Sequence, residues 1–229
     1  AAEALAIAQS VAAASPTAAD PQHMLALCHK ALGDESRAVA AFDAALARAP
    51  RDPHILGNYA NFLTRLRRYE EAIALYRRSI DLVPSHADAW ANLGLTLLDL
   101  GDAAGARDAL ERAVALRPAS ATVWQGLGRA RRAARDLEGA EAAFRKAVEI
   151  APGAGAGWVN LGVVRRLLGD PADALECYAA ARRAGFAAAE LEDAEASAWL
   201  DLGETERALA GARHLTASAP GYVAGHAML

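Results

Sequence analysis

The chain has little of several features that commonly identify a function. Its 229 residues include only two cysteines, Cys28 and Cys177, which are far apart and lack the spacing of metal ligands. No stretch approaches the ~18 uncharged apolar residues that a membrane-spanning helix requires, so we expect no membrane insertion. Because the two cysteines are so far apart in sequence, we expect them to be free thiols in a reducing compartment, and we predict a cytoplasmic location.

A basic charge balance and sequence motifs for catalysis are also missing. The formal net charge is -4 at pH 7, which argues against nucleic acid as a partner. The six histidines form no HExxH motif and no cluster, and there is no Gly-rich phosphate loop. Candidate Ser, His and Asp residues are scattered along the chain. We expect no enzyme active site, no metal site and no cofactor within it.

What is present is a fixed interval. Trp, Leu and Gly recur in the stretches ADAWANLG, TVWQGLG and GWVNLG, and Trp90, Trp124 and Trp158 are 34 residues apart. Prolines keep the same interval, with Phe186 in the one position that lacks proline. Such a period indicates a repeat architecture. We divide the chain into a truncated repeat at 1–18, six complete frames at 19–52, 53–86, 87–120, 121–154, 155–188 and 189–222, and the start of another repeat at 223–229.

Each frame is predicted to form a hairpin of two helices. In frame 87–120, apolar residues recur at helical spacing on both sides of Gly101-Asp102, where Gly suits a helix end and Asp a helix start. Pro118 ends the second helix, because proline has no amide hydrogen to donate. We expect an all-α fold whose first helices start near residues 20, 53, 87, 121, 155 and 189.

Local motifs also mark where individual helices begin. Asp52-Pro53 and Asp170-Pro171 place a capping side chain before a proline in the first turn. Ser85 followed by Asp88 resembles a capping box.

Residue size alternates in a way that brings the two helices of a frame together. Counting from the start of each frame, position 8 is small, position 20 is Ala in all six frames, and position 24 is large in the first five. The residues at position 24 are Phe42, Tyr76, Leu110, Phe144 and Tyr178. We expect the large side chain to fill the space that the small residues leave.

This pattern of W-x-x-L-G, a small residue, an aromatic residue, Ala and Pro at a period of 34 resembles the tetratricopeptide repeat. The resemblance implies a right-handed superhelical solenoid of antiparallel helical hairpins, in which the first helices line a concave groove that binds a protein or peptide. Frame 189–222 departs most from the pattern, with Glu192 and Glu195 in the Trp and Leu positions. We expect Trp199 to fill that part of the core from a shifted position.

Asparagines at position 6 are the first candidate binding residues. Asn58, Asn92 and Asn160 share this position, and Gly126 interrupts the series. In members of this family, asparagines there can face the groove and hold peptide backbones. A carboxamide suits this role because it both donates and accepts hydrogen bonds. The alternative is that asparagine is common at this position without any ligand.

A carboxylate clamp and a basic stripe are two further possibilities. In some family members, cations and asparagines clamp the C-terminal carboxylate of chaperone tails; here Asn61 and Asn92 match the asparagines. Gly57, Thr122 and Gly126 replace the cations, so the clamp is incomplete. Arginines of a stripe can hold carboxylates or phosphates, although a solvated face balanced by local acids is the favoured interpretation. The stripe comprises Lys30, Arg129, Arg132, Arg165 and Arg166.

Three functions remain open. The leading hypothesis is a scaffold that binds a protein or peptide in its groove. The second is a substrate-recruiting or regulatory arm of a larger enzyme, of the glycosyltransferase, sulfotransferase or oxygenase type, whose catalytic domain lies outside this chain. The third is a homo-oligomeric assembly scaffold.

The two ends of the chain bear on the third hypothesis. The sequence lacks an initiator Met and has incomplete repeats at both ends, which indicates an excerpt of a longer protein. The first 20 residues superficially resemble a signal peptide, but Glu3 and the repeat spacing of Ala4, Ala8 and Val11 favour a helix. We expect residues 3–14 to pack on frame 19–52 and to expose an apolar face that favours self-association.

Overall fold

The computed structural model of the protein describes residues 2–218, and in this part of the chain every regular element is an α-helix. The end of frame 189–222 and the truncated repeat expected at 223–229 lie outside the described residues. The helices are α1 (Ala2–Ala14), α2 (Ala19–Ala31), α3 (Glu35–Arg48), α4 (Pro53–Arg65), α5 (Tyr69–Leu82), α6 (Ala87–Leu100), α7 (Ala103–Leu116), α8 (Ala121–Ala133), α9 (Leu137–Ile150), α10 (Gly155–Leu167), α11 (Pro171–Arg183), α12 (Ala189–Asp201) and α13 (Thr205–Ser218).

The helices pair into hairpins, and the chain forms two compact units. In the first unit, which ends at Leu116, α1 packs on α2 and three hairpins follow, α2–α3, α4–α5 and α6–α7. In the second unit, which begins at Arg117, the hairpins are α8–α9, α10–α11 and α12–α13. The first helix of each hairpin starts within one residue of the predicted position.

The turn inside each hairpin needs a left-handed residue. Gly33, Gly101, Gly169 and Gly203 have φ angles of 76°, 92°, 91° and 79°, as their Gly-Asp or Gly-Glu context predicted. The two frames without glycine at this turn use Arg67 and Arg135 instead, with φ of 58° and 65°. A left-handed conformation is strained for a residue with a Cβ, so these two turns store a small cost.

Two of the predicted helix starts are confirmed and one is wrong. The Asp52 carboxylate accepts from the amides of His54 and Ile55, and Asp170 accepts from Asp173. The capping box expected from Ser85 does not form. Helix α6 begins at Ala87 with His86 as its N-cap, so Ser85 lies one residue too early to cap it.

The alternation of small and large residues closes each hairpin as predicted. The position-20 alanines and the position-24 residues are at most 2 % exposed. A Cβ added to Gly94 would lie 2.5 Å from Leu110 Cγ, and one added to Gly128 would lie 2.7 Å from the Phe144 ring. Position 8 is small because the large residue of the second helix occupies that space.

Each repeated Trp has the same structural role. The indole Nε1 of Trp90, Trp124 and Trp158 donates to the carbonyl oxygen of Pro84, Pro118 and Pro152 at 2.9, 2.8 and 2.9 Å. The Trp in one frame therefore holds the proline turn that precedes it. These tryptophans are half-buried and bind backbone of their own chain.

In the last hairpin, the core position is filled by a different residue from the one predicted. Leu191 is fully buried with Ala194 and Ala198, and Phe186 packs against this cluster. Trp199 stays half-buried, and the Arg207 guanidinium lies 4.7 Å from the centre of its ring. Leu191, one residue before Glu192, fills the core, so the expectation that Trp199 would do so was wrong.

Candidate functional site

A polar cavity of about 300 Å³ opens between α4 and α6 in the first unit. Both are first helices of their hairpins, and the side chains at equivalent positions converge there because α4, α5 and α6 pack together. We call it the asparagine cavity. The polar side chains that line it are His54, Asn58, Asn61, Tyr76, His86, Asp88 and Asn92.

Asn61 is fixed at the centre of the cavity by two hydrogen bonds. Its Oδ1 accepts from the Tyr76 hydroxyl at 2.6 Å and from Asn92 Nδ2 at 2.8 Å. Burial raises the pKa of Tyr76, which keeps its hydroxyl protonated and able to donate. Both donors take the oxygen of Asn61, so its Nδ2 has no partner among residues 2–218 and is available to a ligand.

Asn58 is held by a residue that the sequence did not connect to it. Its Nδ2 lies 3.1 Å from His23 Nε2, which accepts the hydrogen bond when the imidazole is neutral. Burial, with a smaller contribution from His54, lowers the pKa of His23, and this favours the neutral form, although Asp52 and Asp20 act in the opposite direction. The oxygen of Asn58 then has no partner among the described residues.

Two further histidines line the wall of the cavity. The rings of His54 and His86 are 6.5 Å apart and meet edge to face. His86 Nδ1 lies 3.0 Å from the Oγ of Ser79, which is fully buried. This bond anchors His86 from below, while the His54 side chain is exposed.

The cavity as a whole presents carboxamide groups at set orientations. Asn61 offers an amide donor, while the oxygens of Asn58 and Asn92 remain as acceptors. An extended peptide backbone alternates N–H donors and C=O acceptors, so it can satisfy all three. Neither lysine nor arginine lines the cavity, so it lacks the cations of a carboxylate clamp.

The fourth predicted asparagine lies in the second unit. Asn160 is on α10 and is half-buried. The equivalent position of α8 is Gly126, which is buried and offers no side chain. The structure therefore brings together three of the four predicted asparagines, all of them in the first unit.

Two of the five residues of the predicted basic stripe, Arg165 and Arg166, are paired with local acids. Arg165 pairs with Glu141 at 2.9 Å and also with Asp173, and Arg166 pairs with Asp201 at 2.9 Å. Burial and then the neighbouring Arg129 lower the pKa of Arg132. In the first unit, burial and then Arg65 lower the pKa of Lys30.

The two cysteines differ from each other. Cys177 is buried, and burial raises the pKa of its thiol. Cys28 is half-buried. Among residues 2–218 there is no cluster of three or more His, Cys, Asp and Glu arranged to hold a metal ion. No described helix combines the length and apolar character needed to cross a bilayer.

Sequence reasoning missed the histidines and the tyrosine of the site. Tyr76 was assigned only to the core, and the histidines were set aside because they are scattered. The period contained a signal: His54 and Asp88 share position 2, four residues before Asn58 and Asn92. His23 gave no such signal, because only the packing of α2 near α4 brings it to Asn58.

Comparison with known sequences gives one family. Profiles described as tetratricopeptide repeat match residues 19–52, 53–119 and 91–155, more than half of the chain together. The Type IV pilus assembly protein PilF of Pseudomonas aeruginosa is 31 % identical over 102 residues, 42 % of this chain and 39 % of PilF. The Hsp70-Hsp90 organizing protein of Triticum aestivum is 35 % identical over 71 residues, 31 % of this chain and 12 % of that protein. The matched regions span well under half of these relatives.

Solved structures share the fold. PilW, a type IV pilus biogenesis factor, superimposes with a TM-score of 0.80 at 18 % identity, covering 91 % of this chain and 97 % of PilW. MamA superimposes with a TM-score of 0.69 at 21 % identity, covering 72 % of this chain and 91 % of MamA. These likenesses show the fold, an all-α solenoid of helical hairpins.

Proposed function

Because the chain belongs to the tetratricopeptide repeat family, we infer that it is a protein-interaction scaffold. We propose that its asparagine cavity holds the backbone of an extended peptide. One observation carries the proposal. Asn61 turns its oxygen to Tyr76 and Asn92, which leaves its amide group and the oxygens of Asn58 and Asn92 available.

The arrangement favours backbone over side-chain recognition. An unpaired polar group in a partly buried site is costly, so a ligand that satisfies these three groups gains more than an apolar one. Backbone amides and carbonyls are common to all sequences, so the cavity contributes affinity, while neighbouring pockets select side chains. We assign the six frames between 19 and 222 to the repeats of this scaffold, with Asn160 as a second peptide contact in the second unit.

The relatives support a role in assembly. PilF is a type IV pilus assembly protein, and the Triticum aestivum relative is an Hsp70-Hsp90 organizing protein. We infer that the partner of this chain is a protein segment presented in extended form. The incomplete clamp argues against a C-terminal carboxylate as the recognised feature, because Gly57 stands where a cation is needed.

The test is a selection of peptides from a phage-displayed random library, followed by measurement of the dissociation constant by fluorescence anisotropy. Replacing Asn58, Asn92 and Asn160 together by Ala should weaken the selected peptides. Each hydrogen bond that is lost should cost roughly 0.5–1.5 kcal/mol of binding free energy. Asn92 alone should account for the largest single loss, since it also orients Asn61.

Two controls separate binding from folding. The substitution Gln9→Ala on the exposed surface of α1 should leave binding unchanged. The triple variant loses the bonds of Asn92 to Asn61 and of Asn58 to His23, so its free energy of unfolding should fall by about 1–3 kcal/mol while its melt stays cooperative. If selected peptides bind the triple variant normally, or if that variant loses its cooperative melt, the asparagines are packing residues and the proposal fails.

A further inference from the structure

A second kind of pocket recurs between a first helix and the second helices that precede and follow it. In the first unit, α5, α6 and α7 enclose a cavity of about 300 Å³ beside Trp90. In the second unit, α9, α10 and α11 enclose one of about 400 Å³ beside Trp158. We call them the Trp90 pocket and the Trp158 pocket. Both are lined from the same positions of the repeat, so each serves as a natural comparison for the other.

The floor of the Trp90 pocket is apolar. Ile80, Leu93, Leu97 and Ala109 form it, and each is less than a tenth exposed. The Trp90 indole is fixed by its bond to Pro84 and forms a rigid wall. At position 11, where the Trp90 pocket has Leu97, the Trp158 pocket has Arg165, which places a guanidinium inside it.

The rims of the two pockets also differ in whether their arginines are paired with carboxylates. In the second unit, Arg145 pairs with Glu141, and this carboxylate also binds Arg165. At the position of Glu141 the first unit has Ile73, so the equivalent Arg77 lacks this partner. Across residues 2–218, neither Arg77 nor Arg112 of the Trp90 pocket has an ion pair or hydrogen bond.

The acids at the same rim do not cancel these cations. Asp108 is held by Arg107 at 2.8 Å, which leaves Asp81 as the remaining carboxylate of the lining. Counted with Arg107, the rim has three arginines and two aspartates above an apolar floor. In the Trp158 pocket, Arg145 and Arg165 are already paired with carboxylates of the chain, and of the arginines that line it Arg183 alone has no such partner among residues 2–218.

We propose that the Trp90 pocket is a second docking site, for a partner segment in which a bulky apolar side chain stands next to a carboxylate. The apolar side chain fills the floor between Trp90 and Leu97, and the carboxylate pairs with Arg77 or Arg112. An arginine suits this pairing because its guanidinium offers a fork of donors to a carboxylate. Helix α6 contributes Asn92 to the asparagine cavity and Trp90 to this pocket, so the first unit can hold two segments at once.

The test uses a phage-displayed library of random peptides selected on the whole chain, with binding of the enriched peptides measured by fluorescence anisotropy. One group of peptides should carry Trp, Phe or Leu beside Asp or Glu. Leu97→Arg, which copies the residue of the Trp158 pocket, should weaken this group about tenfold or more, because it places an unpaired charge in the apolar floor. Arg77→Glu with Arg112→Glu should weaken it about three- to tenfold, as expected for exposed ion pairs that are reversed.

The control on the same helix is Leu100→Arg, which alters a 43 % exposed residue outside the pocket and should leave binding unchanged. Asn92→Ala should also leave this group unaffected, which separates the outcome from that of the asparagine cavity. If Leu97→Arg unfolds, as circular dichroism would show, the exposed Arg77 and Arg112 variant decides alone. Recovery of no peptide whose binding depends on these residues overturns the proposal.

Discussion

Asn92 Nδ2 donates a hydrogen bond to Asn61 Oδ1 at 2.8 Å, and this bond joins two residues that are 31 positions apart in sequence, on the first helices α6 and α4. The Tyr76 hydroxyl donates to the same oxygen from the second helix between them. Three successive helices therefore fix the orientation of one amide group. The orientation matters because it decides that the cavity receives the donor side of Asn61.

Two substitutions at Asn61 should separate this structural bond from ligand binding. Asn61→Ala leaves the Tyr76 hydroxyl and the Asn92 amide without an acceptor, which should lower the free energy of unfolding by about 1–3 kcal/mol. Asn61→Asp keeps an acceptor for both, so its thermal melt should stay closer to that of the unaltered chain. The aspartate has no amide donor, so peptides selected on the unaltered chain should bind it more weakly. Equal binding by the aspartate variant would show that no ligand uses the Asn61 amide.

Acid should destabilise the first unit through His23. Burial lowers the pKa of His23 in the folded chain below its ordinary value, so the unfolded chain binds the proton more readily. The neutral imidazole of His23 therefore stabilises the folded chain fully above about pH 6.5, the ordinary pKa of histidine. This stabilisation is lost as the pH falls below that value. The melting temperature should therefore fall on acidification, and it should fall less for His23→Gln. Melting curves that shift equally with pH for both chains would contradict this.

The close contact at position 8 predicts an intolerant glycine. A Cβ at Gly128 would press on the Phe144 ring at 2.7 Å, so Gly128→Ala should lower the free energy of unfolding by about 1–3 kcal/mol. The matched control is Gly153→Ala, where nothing lies within 4 Å of the added carbon. Chemical denaturation of both variants measures the difference. Similar stabilities would mean that Phe144 moves away at little cost. Phe42 and Tyr76, the large residues opposite Ala26 and Ala60, already accommodate a Cβ at position 8.

Glycine should improve a turn that now uses arginine. Arg67 has φ of 58°, a left-handed conformation that glycine adopts without strain, so Arg67→Gly should raise the free energy of unfolding by about 0.5–1 kcal/mol. Ala74→Gly, in the middle of α5, should lower it by a similar amount because glycine weakens helix interiors. Opposite shifts in melting temperature are expected. A loss of stability in both variants would show that the Arg67 side chain stabilises the turn in another way.

The first helix should promote self-association. Helix α1 buries Ala8 and Ala12, while Ile7 and Val11 are 54 % and 40 % exposed. The residues of other frames at the position of Val11, such as Ala45 and Ala113, are fully buried. We expect dimers or larger species in sedimentation velocity as concentration rises, and fewer of them after Ile7→Lys with Val11→Lys. A monomer at every concentration would count against association through this face.

The sequence by itself determined what depends on local spacing. The 34-residue interval, the apolar stripes and the Gly-Asp breaks predicted the hairpins and their starts, because helix formation and capping involve residues within a few positions of each other. The pairing of small position 8 with large position 24 followed from the same period. The resemblance to the repeat family, and with it the solenoid fold, could be recognised from these features.

Only the tertiary structure decided what depends on contacts between neighbouring hairpins. The bond of His23 to Asn58, the bond of Asn92 to Asn61 and the ion pair of Arg165 with Glu141 each join two hairpins, and no local pattern encodes the approach of these residues. The capping box at Ser85 does not form, because a shift of one residue in the helix start removes the contact. Leu191 fills the core in place of Trp199 because its side chain is the one that points into the core. The repeat period identified candidate binding residues along the chain. The packing of adjacent helices determined which of these residues are in contact.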